Sequence, residues 1–359
     1  MSHRIRSILQ SVAVPVLAVV LSFGVGAILI SVSGKDPVDA FVGLYSGALG
    51  DQEAMLRTLE KATPLIFNGL ALTLAFQAGL FNIGVQGQFL FGAISSAAVG
   101  YLVTGLPGPA HMALALAAGV AAGALYGWLQ GGLKALRGVH EVITGIMLNY
   151  VAINLTDYLT KGPLMDRAAR NTIPRTPLVD PSCLIPDISG IPGGFVMAVL
   201  LALSLWYVLR KTVLGFEIHM VGANRHASAY AGVRVNFMVI LIMAISGGMA
   251  GLGGAVETLG VVHRFQPGFN VGLGFEGITI ALLARIHPLG VVPAALMIGA
   301  MKAGAGMMQF SADTPTEIID MMFAMILFFV AADRIIVTLI PFLKTTHPRL
   351  TLMSGWGGK

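Results

Sequence analysis

Long apolar stretches without charge alternate along this chain with short segments rich in charge, proline or glycine. A bilayer core takes roughly 20 apolar residues per helix, so each long stretch predicts a membrane span. The first, Ser7 to Gly34, is too long for the apolar region of a signal peptide and reads as an uncleaved helix. Ala62 to Leu133 contains no Asp, Glu, Lys or Arg over 72 residues. It is interrupted at Phe81-Asn82-Ile83-Gly84 and at Pro107-Gly108-Pro109, which predicts three helices. Further spans follow near Val139–Leu159, Gly194–Leu209, Val235–Val256, Leu273–Ala284, Pro288–Gly304 and Thr316–Ala332. The pattern predicts one all-α polytopic membrane domain over residues 1–359, with about ten transmembrane helices.

Composition agrees. Charged residues are 11% of the 359 and hydrophobic ones 56%, where soluble domains carry roughly 25% charge. Mean hydropathy is +0.82, and a water-soluble globule is excluded. The formal net charge of +5 follows from topology. With the N-terminus inside, cytoplasmic segments hold Arg4, Arg6, Lys134, Arg137, Arg210, Lys211, Arg225, Arg234, Arg285 and the basic residues from Arg334 to Lys359. Most of the acids fall on the other face, so the positive-inside rule places both termini in the cytoplasm. A solvated inner face accounts for the basic balance, and no nucleic-acid partner is expected.

Two larger pieces fall outside on this topology. Residues 35–61 carry Val38, Phe41, Val42, Tyr45 and Leu49 at helical spacing, the pattern of an amphipathic helix on the outer interface. Residues 160–193 contain six prolines, from Pro163 to Pro192, and cannot form a long helix. They are an ordered docking cap or a linker.

The 45 glycines predict close helix packing in lipid. Gly119, Gly123, Gly127 and Gly131 make one smooth ridge, and Gly247, Gly251 and Ala255 make another. Gly248, Gly253 and Gly254 leave the second helix smooth all round, which places it among other helices rather than against lipid. The single cysteine, Cys183, excludes an intrachain disulfide, and the eight histidines show no i, i+3 or i, i+4 pairing for a metal. His140-Glu141 opens like a zincin helix, but Thr144 stands where the second ligand belongs.

The chain echoes itself. Leu70–Phe76 followed by Asn82-Ile83-Gly84-Val85 resembles Gly277–Leu283 followed by Pro288-Leu289-Gly290-Val291, in each case a helix, a break and another apolar span. Paired broken helices point to a solute path between two related halves, though ordinary turns between hydrophobic helices would read the same way. Around the first break lie the amides Asn68, Gln77, Asn82, Gln86 and Gln88, with Asn149 and Asn154 nearby. Uncharged donors and acceptors suit a neutral, heterocyclic or polyhydroxylated solute, and they suit interhelical hydrogen bonding equally. Glu276 is the main ionisable residue of the spans; it is expected to face a cavity, find a partner or be protonated, unless it sits near the outer headgroups. The scarcity of buried acids argues against a gradient-driven carrier, and no nucleophile or metal constellation supports an intramembrane enzyme.

Within residues 214–234, Asn224 is a good N-cap and Gly232 a good residue to follow a helix C-terminus, delimiting a two-turn helix with Tyr230 as its bulky contact. An ordered helix outside the bilayer suggests docking on a soluble partner. The stretch Gly222 to Val233, with Asn224, Arg225, Ala229, Tyr230 and Gly232, resembles the coupling helix of ABC-importer permeases of the ribose, nucleoside and branched-chain amino acid type. Phe76–Gln88 is similar to the signature of the nucleoside-importer branch, whose binding proteins are basic-membrane-protein lipoproteins. Glu141–Tyr150, Gly274–Ile278 and Arg285–Gly290 match the same branch, and the resemblance covers about Ala62 to Ile340. The chain departs from it at His219-Met220, where Arg-Ala is frequent, and at Glu276, where Asp is common.

The resemblance implies a permease subunit, not an enzyme, moving nucleosides or related compounds, or another small polar solute such as a simple sugar or riboflavin. It implies a cytoplasmic ABC ATPase that holds the ATP and magnesium, a second and shorter permease, an extracytoplasmic solute-binding protein, and a place in the bacterial inner membrane. No Gly-x-x-x-x-Gly-Lys-Ser/Thr loop occurs in the chain, which is consistent with a separate energy-supplying subunit. Asn68, Gln77, Asn82, Gln86, Gln88, Asn149 and Glu276 become candidates for the solute path.

Overall fold

A computed structural model of the chain describes residues 3–167, 173–269 and 272–331. The described residues form thirteen α-helices: α1 (His3–Val32), α2 (Pro37–Leu49), α3 (Gln52–Gln77), α4 (Val85–Leu102), α5 (Gly108–Arg137), α6 (Glu141–Lys161), α7 (Gly193–Lys211), α8 (Val213–Ala223), α9 (Arg225–Tyr230), α10 (Val235–Glu257), α11 (Leu273–Leu283), α12 (Pro288–Ala312) and α13 (Glu317–Ala331). A π-helical turn, Thr258–Val262, extends α10. No strand occurs among the described residues beyond an isolated bridge between Ile188 and Ile191. Six helical stretches are long and apolar enough to cross a bilayer: Pro15–Val32, Gly108–Arg137, Glu141–Lys161, Gly193–Lys211, Val235–Val262 and Pro288–Ala312. The chain is a multi-pass α-helical membrane protein. The basic residues from Arg334 onward lie outside the described residues.

Contacts divide the described residues into two compact units, one within Thr63–Ile278 and one made of the residues before Thr63 and those from Thr279 onward. The first is organised around α10, and the two glycine ridges read from the sequence meet each other there. A Cβ on Gly123 would sit 2.7 Å from the Gly251 Cα, and one on Gly119 would meet the Ala255 Cβ at 2.6 Å. Backbones approach this closely only where no side chain intervenes. The other faces of α10 are equally occupied: Gly253 lies under Phe67 of α3, and Gly254 under the Phe89 carbonyl of α4. Opposite the α5–α10 seam, Phe89, Phe265 and Phe269 stack at 5.1–6.0 Å between centroids.

The proline-rich segment is pinned rather than free over its described part. Thr176 and Phe265 exchange backbone and side-chain hydrogen bonds at 2.9 Å. The Asp180 amide donates to the Gly100 carbonyl at 2.8 Å, and the Ile185 amide to Leu259 at 3.3 Å. Between α6 and α7 its described residues form a single helical turn, the three residues Pro181–Cys183, in keeping with its prolines. The Ser182 backbone amide and hydroxyl hold the Asp180 carboxyl below the usual carboxylate range, and the ring of buried His111 meets the Ser182 hydroxyl at 2.7 Å. Burial pushes the Cys183 thiol up, so it is a packed core residue rather than a reactive one.

In the second unit the 35–61 stretch divides in two. Asp36 caps α2 by accepting from the Val38 amide at 2.7 Å, and Asp51 starts α3 by accepting from Ala54 at 2.6 Å. The small face of α2 docks on α12: a Cβ on Gly47 would meet the Gly304 Cα at 3.0 Å, and Gly304 lies against the Leu44 backbone. Of the apolar stripe of the sequence pattern, Val38, Val42, Tyr45 and Leu49 point outward, while Phe41 is half-buried with its ring 5.5 Å from that of Phe23. Lys35 pairs with Asp313 across the same helix pair. Phe23, Phe41, Tyr45, Met55 and Met297 help line an apolar groove of about 780 Å³. Elsewhere α1 packs on α13, with Gly26 beneath the Met322 thioether.

Candidate functional site

The first break is built by a specific chain reversal. Gly79 adopts φ +65°, the left-handed conformation that glycine takes without penalty. Its amide donates to Phe76 at 3.0 Å and the Leu80 amide to Ala75 at 2.9 Å, closing α3 with a Schellman motif. The second member of the internal echo ends the same way: the Arg285 amide donates to Leu282 at 2.9 Å and the Ile286 amide to Ala281 at 2.8 Å. Here the left-handed positions are Arg285 and Ile286, at φ +50° and +57°. For a β-branched isoleucine that conformation is strained.

Around the first break the predicted amides are brought together, mostly to bond each other. Asn82 and Gln88 form a reciprocal carboxamide pair, each Nδ2 or Nε2 donating to the other's carbonyl oxygen at 2.9 and 3.0 Å. The remaining Asn82 proton goes to the Ser246 hydroxyl at 2.8 Å, which in turn donates to the Ala71 carbonyl at 2.7 Å. The remaining Gln88 proton goes to Gln130 Oε1 at 3.2 Å, and Gln130 Nε2 donates to the Glu141 carbonyl at 3.1 Å. Asn149 clamps both sides of the α4 start, donating to the Ile83 carbonyl and accepting from the Gly87 amide, both at 2.8 Å. The network ties α3, α4, α5, α6 and α10 through groups that are all buried. It satisfies backbone freed by the break, as a discontinuous helix in lipid demands.

The other candidates are placed differently. Gln86 Oε1 accepts from the Gly274 amide at 2.7 Å, fixing the first turn of α11 on α4. Gln77 is half-buried at the end of α3, and Glu276 is half-buried on α11. Asn68 is fully buried in the middle of α3, with its Cβ against Gly277 of α11. Asn154 is exposed and donates to its own helix at Tyr150, 2.8 Å away.

Sequence reasoning passed over Gln130 and Ser246, which complete the amide network, and Glu257, a buried acid at the end of α10. It also passed over the Lys134–Glu141 ion pair, buried where α5 turns into α6. Gln130 had a signal, being a lone amide within the glycine ridge helix. Ser246 and Glu257 had none without the fold. Replacing Gln88 with leucine is expected to strand Asn82 Oδ1, one proton of Asn82 Nδ2 and Gln130 Oε1, costing about 1–3 kcal/mol for each orphaned group. The thermal midpoint of the purified permease should fall accordingly, and Gln130→Leu combined with Gln88→Leu should cost less than the sum of the two singles.

Next to the break stands the capped helix. Asn224 Oδ1 accepts from the Ala227 amide at 3.0 Å to start α9. Gly232, at φ +90°, ends it, with its amide donating to Ala229 and that of Val233 to Ser228, both at 3.0 Å. Ser228 faces inward and bonds the Asn224 carbonyl at 2.7 Å. Arg225 is half-buried and Ala229 exposed, while the Tyr230 ring is 94% exposed. The preceding helix α8 ends in direct contact with the break: a Cβ on Gly222 would lie 3.0 Å from the Gln77 carbonyl carbon and 3.1 Å from that of Ala78.

A glycine-packed membrane core, a broken helix tied by amides and an exposed capped helix that follows a helix seated on that break are the parts of a transport permease. The family model described as branched-chain amino acid transport system / permease component matches residues 54–331, and the chain belongs to that family. It is 39% identical over 334 residues to the guanosine ABC transporter permease protein NupP of Bacillus subtilis, covering 90% of this chain and 94% of that one. It is 34% identical to the nucleoside ABC transporter permease protein NupB of Lactococcus lactis (92% and 94%), and 32% identical to the glucose ABC transporter permease protein TsgB13 of Haloferax volcanii (89% and 87%). The permeases NupQ and NupC of the first two organisms match over about two thirds of this chain. The chain is a transport subunit rather than an enzyme.

Proposed function

We propose that this chain is the permease subunit of a binding-protein-dependent ABC importer that moves nucleosides inward. The observation that carries this reading is near-full-length similarity to two nucleoside permeases, together with an amide-rich break that carries no charge of its own. The similarity to a glucose permease favours a second reading, in which the solute is a simple sugar. Reconstitution with its ATPase, second permease and binding protein into proteoliposomes separates the two: ATP-dependent uptake of labelled guanosine supports the first, and uptake of glucose alone replaces it with the second.

In this reading about ten helices, in two related halves, span the bacterial inner membrane with both termini cytoplasmic, as the distribution of basic residues favours. Residues 35–61 lie at the outer side, 160–193 receive the binding protein, and 214–234 meet the ATPase, which holds ATP and magnesium. The second permease is a shorter paralogue, and a pair of similar permeases in each of two relatives' organisms supports a heterodimer. Solute passes Asn68, Gln77, Asn82, Gln86, Gln88, Asn149 and Glu276 when the halves rock.

Gly222, Asn224, Arg225, Ala229, Tyr230 and Gly232 form the ATPase contact. Tyr230→Asp is expected to reduce coupled uptake at least tenfold. The thermal midpoint of the permease should not change, because the ring touches little of its own chain. Equal uptake by the variant would remove α9 from the ATPase interface.

A further inference from the structure

We propose that Asn68 is the specificity-determining contact of the solute path, its carboxamide reading the hydrogen-bonding edge of the nucleobase. The inference rests on the nucleoside reading above and gives one residue a role within it. Four of the other amides near the break have hydrogen bonds that fix them: Asn82 with Gln88, Asn149 with the backbone at Ile83 and Gly87, and Gln86 with Gly274. Asn68 differs. It is wholly buried, and both its Nδ2 and its Oδ1 lack a partner among the described residues.

A buried carboxamide with neither half satisfied is rare in folded proteins, because desolvating it gains nothing in return. Asparagine is also a poor residue for a helix interior, and a leucine, of the same branched shape, would carry no polar groups to satisfy. The position makes sense if a ligand supplies the missing partners. A carboxamide offers a coplanar donor and acceptor, the complement of adenine N6–H with N7 or N1 and of guanine O6 with N1–H. Ribose hydroxyls do not present that coplanar pair.

The fold also shows how access is controlled. Gly277 of α11 covers the side chain: a Cβ there would come within 2.9 Å of the Asn68 Cβ. In this conformation there is no room for a base. The N-terminal turn of α11 is tied to α4 through the Gly274 amide and Gln86 Oε1. Displacing that turn exposes the carboxamide to solute, and its return expels the solute, which suits a contact that must bind weakly and release.

The test uses the complete importer in proteoliposomes, with saturating loaded binding protein, and labelled guanosine and adenosine as probes. Asn68→Leu should fold with a thermal midpoint no lower than that of the wild type and keep ATP hydrolysis stimulated by the binding protein. Its uptake of both nucleosides should fall at least tenfold. Asn68→Asp, which can only accept and matches the N1–H and N2–H pair of guanine, should raise the guanosine-to-adenosine uptake ratio at least fivefold. Uptake by Asn68→Leu equal to the wild type overturns the assignment, as does a proportional loss of both nucleosides in Asn68→Asp with the ratio unmoved. If the wild-type importer carries no nucleoside, the nucleoside reading fails and this assignment with it; if it carries them and the variants do likewise, this assignment alone fails.

Discussion

Gly123→Leu should abolish accumulation of the folded permease. At this position a side chain has no void to enter and no flexible neighbour to displace, because the facing atoms are the backbone N and Cα of Gly251, 2.9 and 2.7 Å from an added Cβ. Overpacking against movable side chains already costs about 1–3 kcal/mol. Here the α5 and α10 backbones would have to separate, and α10 carries the packing of α3 and α4 on its other faces. The loss therefore spreads beyond the one seam. Size-exclusion chromatography of a fluorescent fusion in mild detergent would report the effect as loss of the monodisperse peak. Gly132→Leu, one residue beyond the ridge with nothing within 4 Å of its Cβ position, should give a wild-type profile.

Gly222→Val should sever ATP hydrolysis from transport. The added atoms fall on the Gln77 and Ala78 carbonyl groups, which lie inside the Schellman turn that ends α3 and are fixed by its hydrogen bonds. The end of α8 would be forced off its seat on the break, while the glycine seam between α5 and α10, built from other residues, stays intact. Coupled uptake is expected to fall at least tenfold, with ATP hydrolysis by the assembled importer continuing without response to the loaded binding protein. Retention of normal uptake by Gly222→Val would show that α8 and the break move independently.

Both predictions rest on glycines whose meaning was only half legible beforehand. The four-residue spacing of Gly119 to Gly131, and of Gly247 to Ala255, identifies two smooth helix faces, because helical geometry puts i and i+4 on one side. That the two faces meet each other is a tertiary fact, since spacing specifies a surface and not its partner. Gly222 has no such spacing; it reads as a loop residue until α3 is placed beside it. The caps of α9 were legible at Asn224 and Gly232, because a cap is a local interaction between a side chain or a backbone conformation and the adjacent turn.

The amide cluster shows the limit more sharply. Composition identifies uncharged polar residues around a break in an apolar run, and a discontinuous helix demands them. A carboxamide facing a solute path and one facing another carboxamide have the same sequence. Only the fold distributes them, pairing Asn82 with Gln88 and leaving Asn68 without a partner among the described residues. Likewise the apolar stripe of α2 was visible as Val38, Phe41, Val42, Tyr45 and Leu49, yet the face that packs on α12 is the small one, Gly43 and Gly47.

By itself the sequence determined the solvent, the helical class, the positions of the breaks and caps and the permease resemblance, because each depends on hydrophobicity, backbone conformation or contacts within a few residues. The tertiary structure alone decided which ridges interlock, which amides are used up and where the capped helix rests. Those depend on atoms far apart in the chain, such as Asn82 with Ser246 and Gly222 with Gln77, which come together only after helices bury their faces against one another.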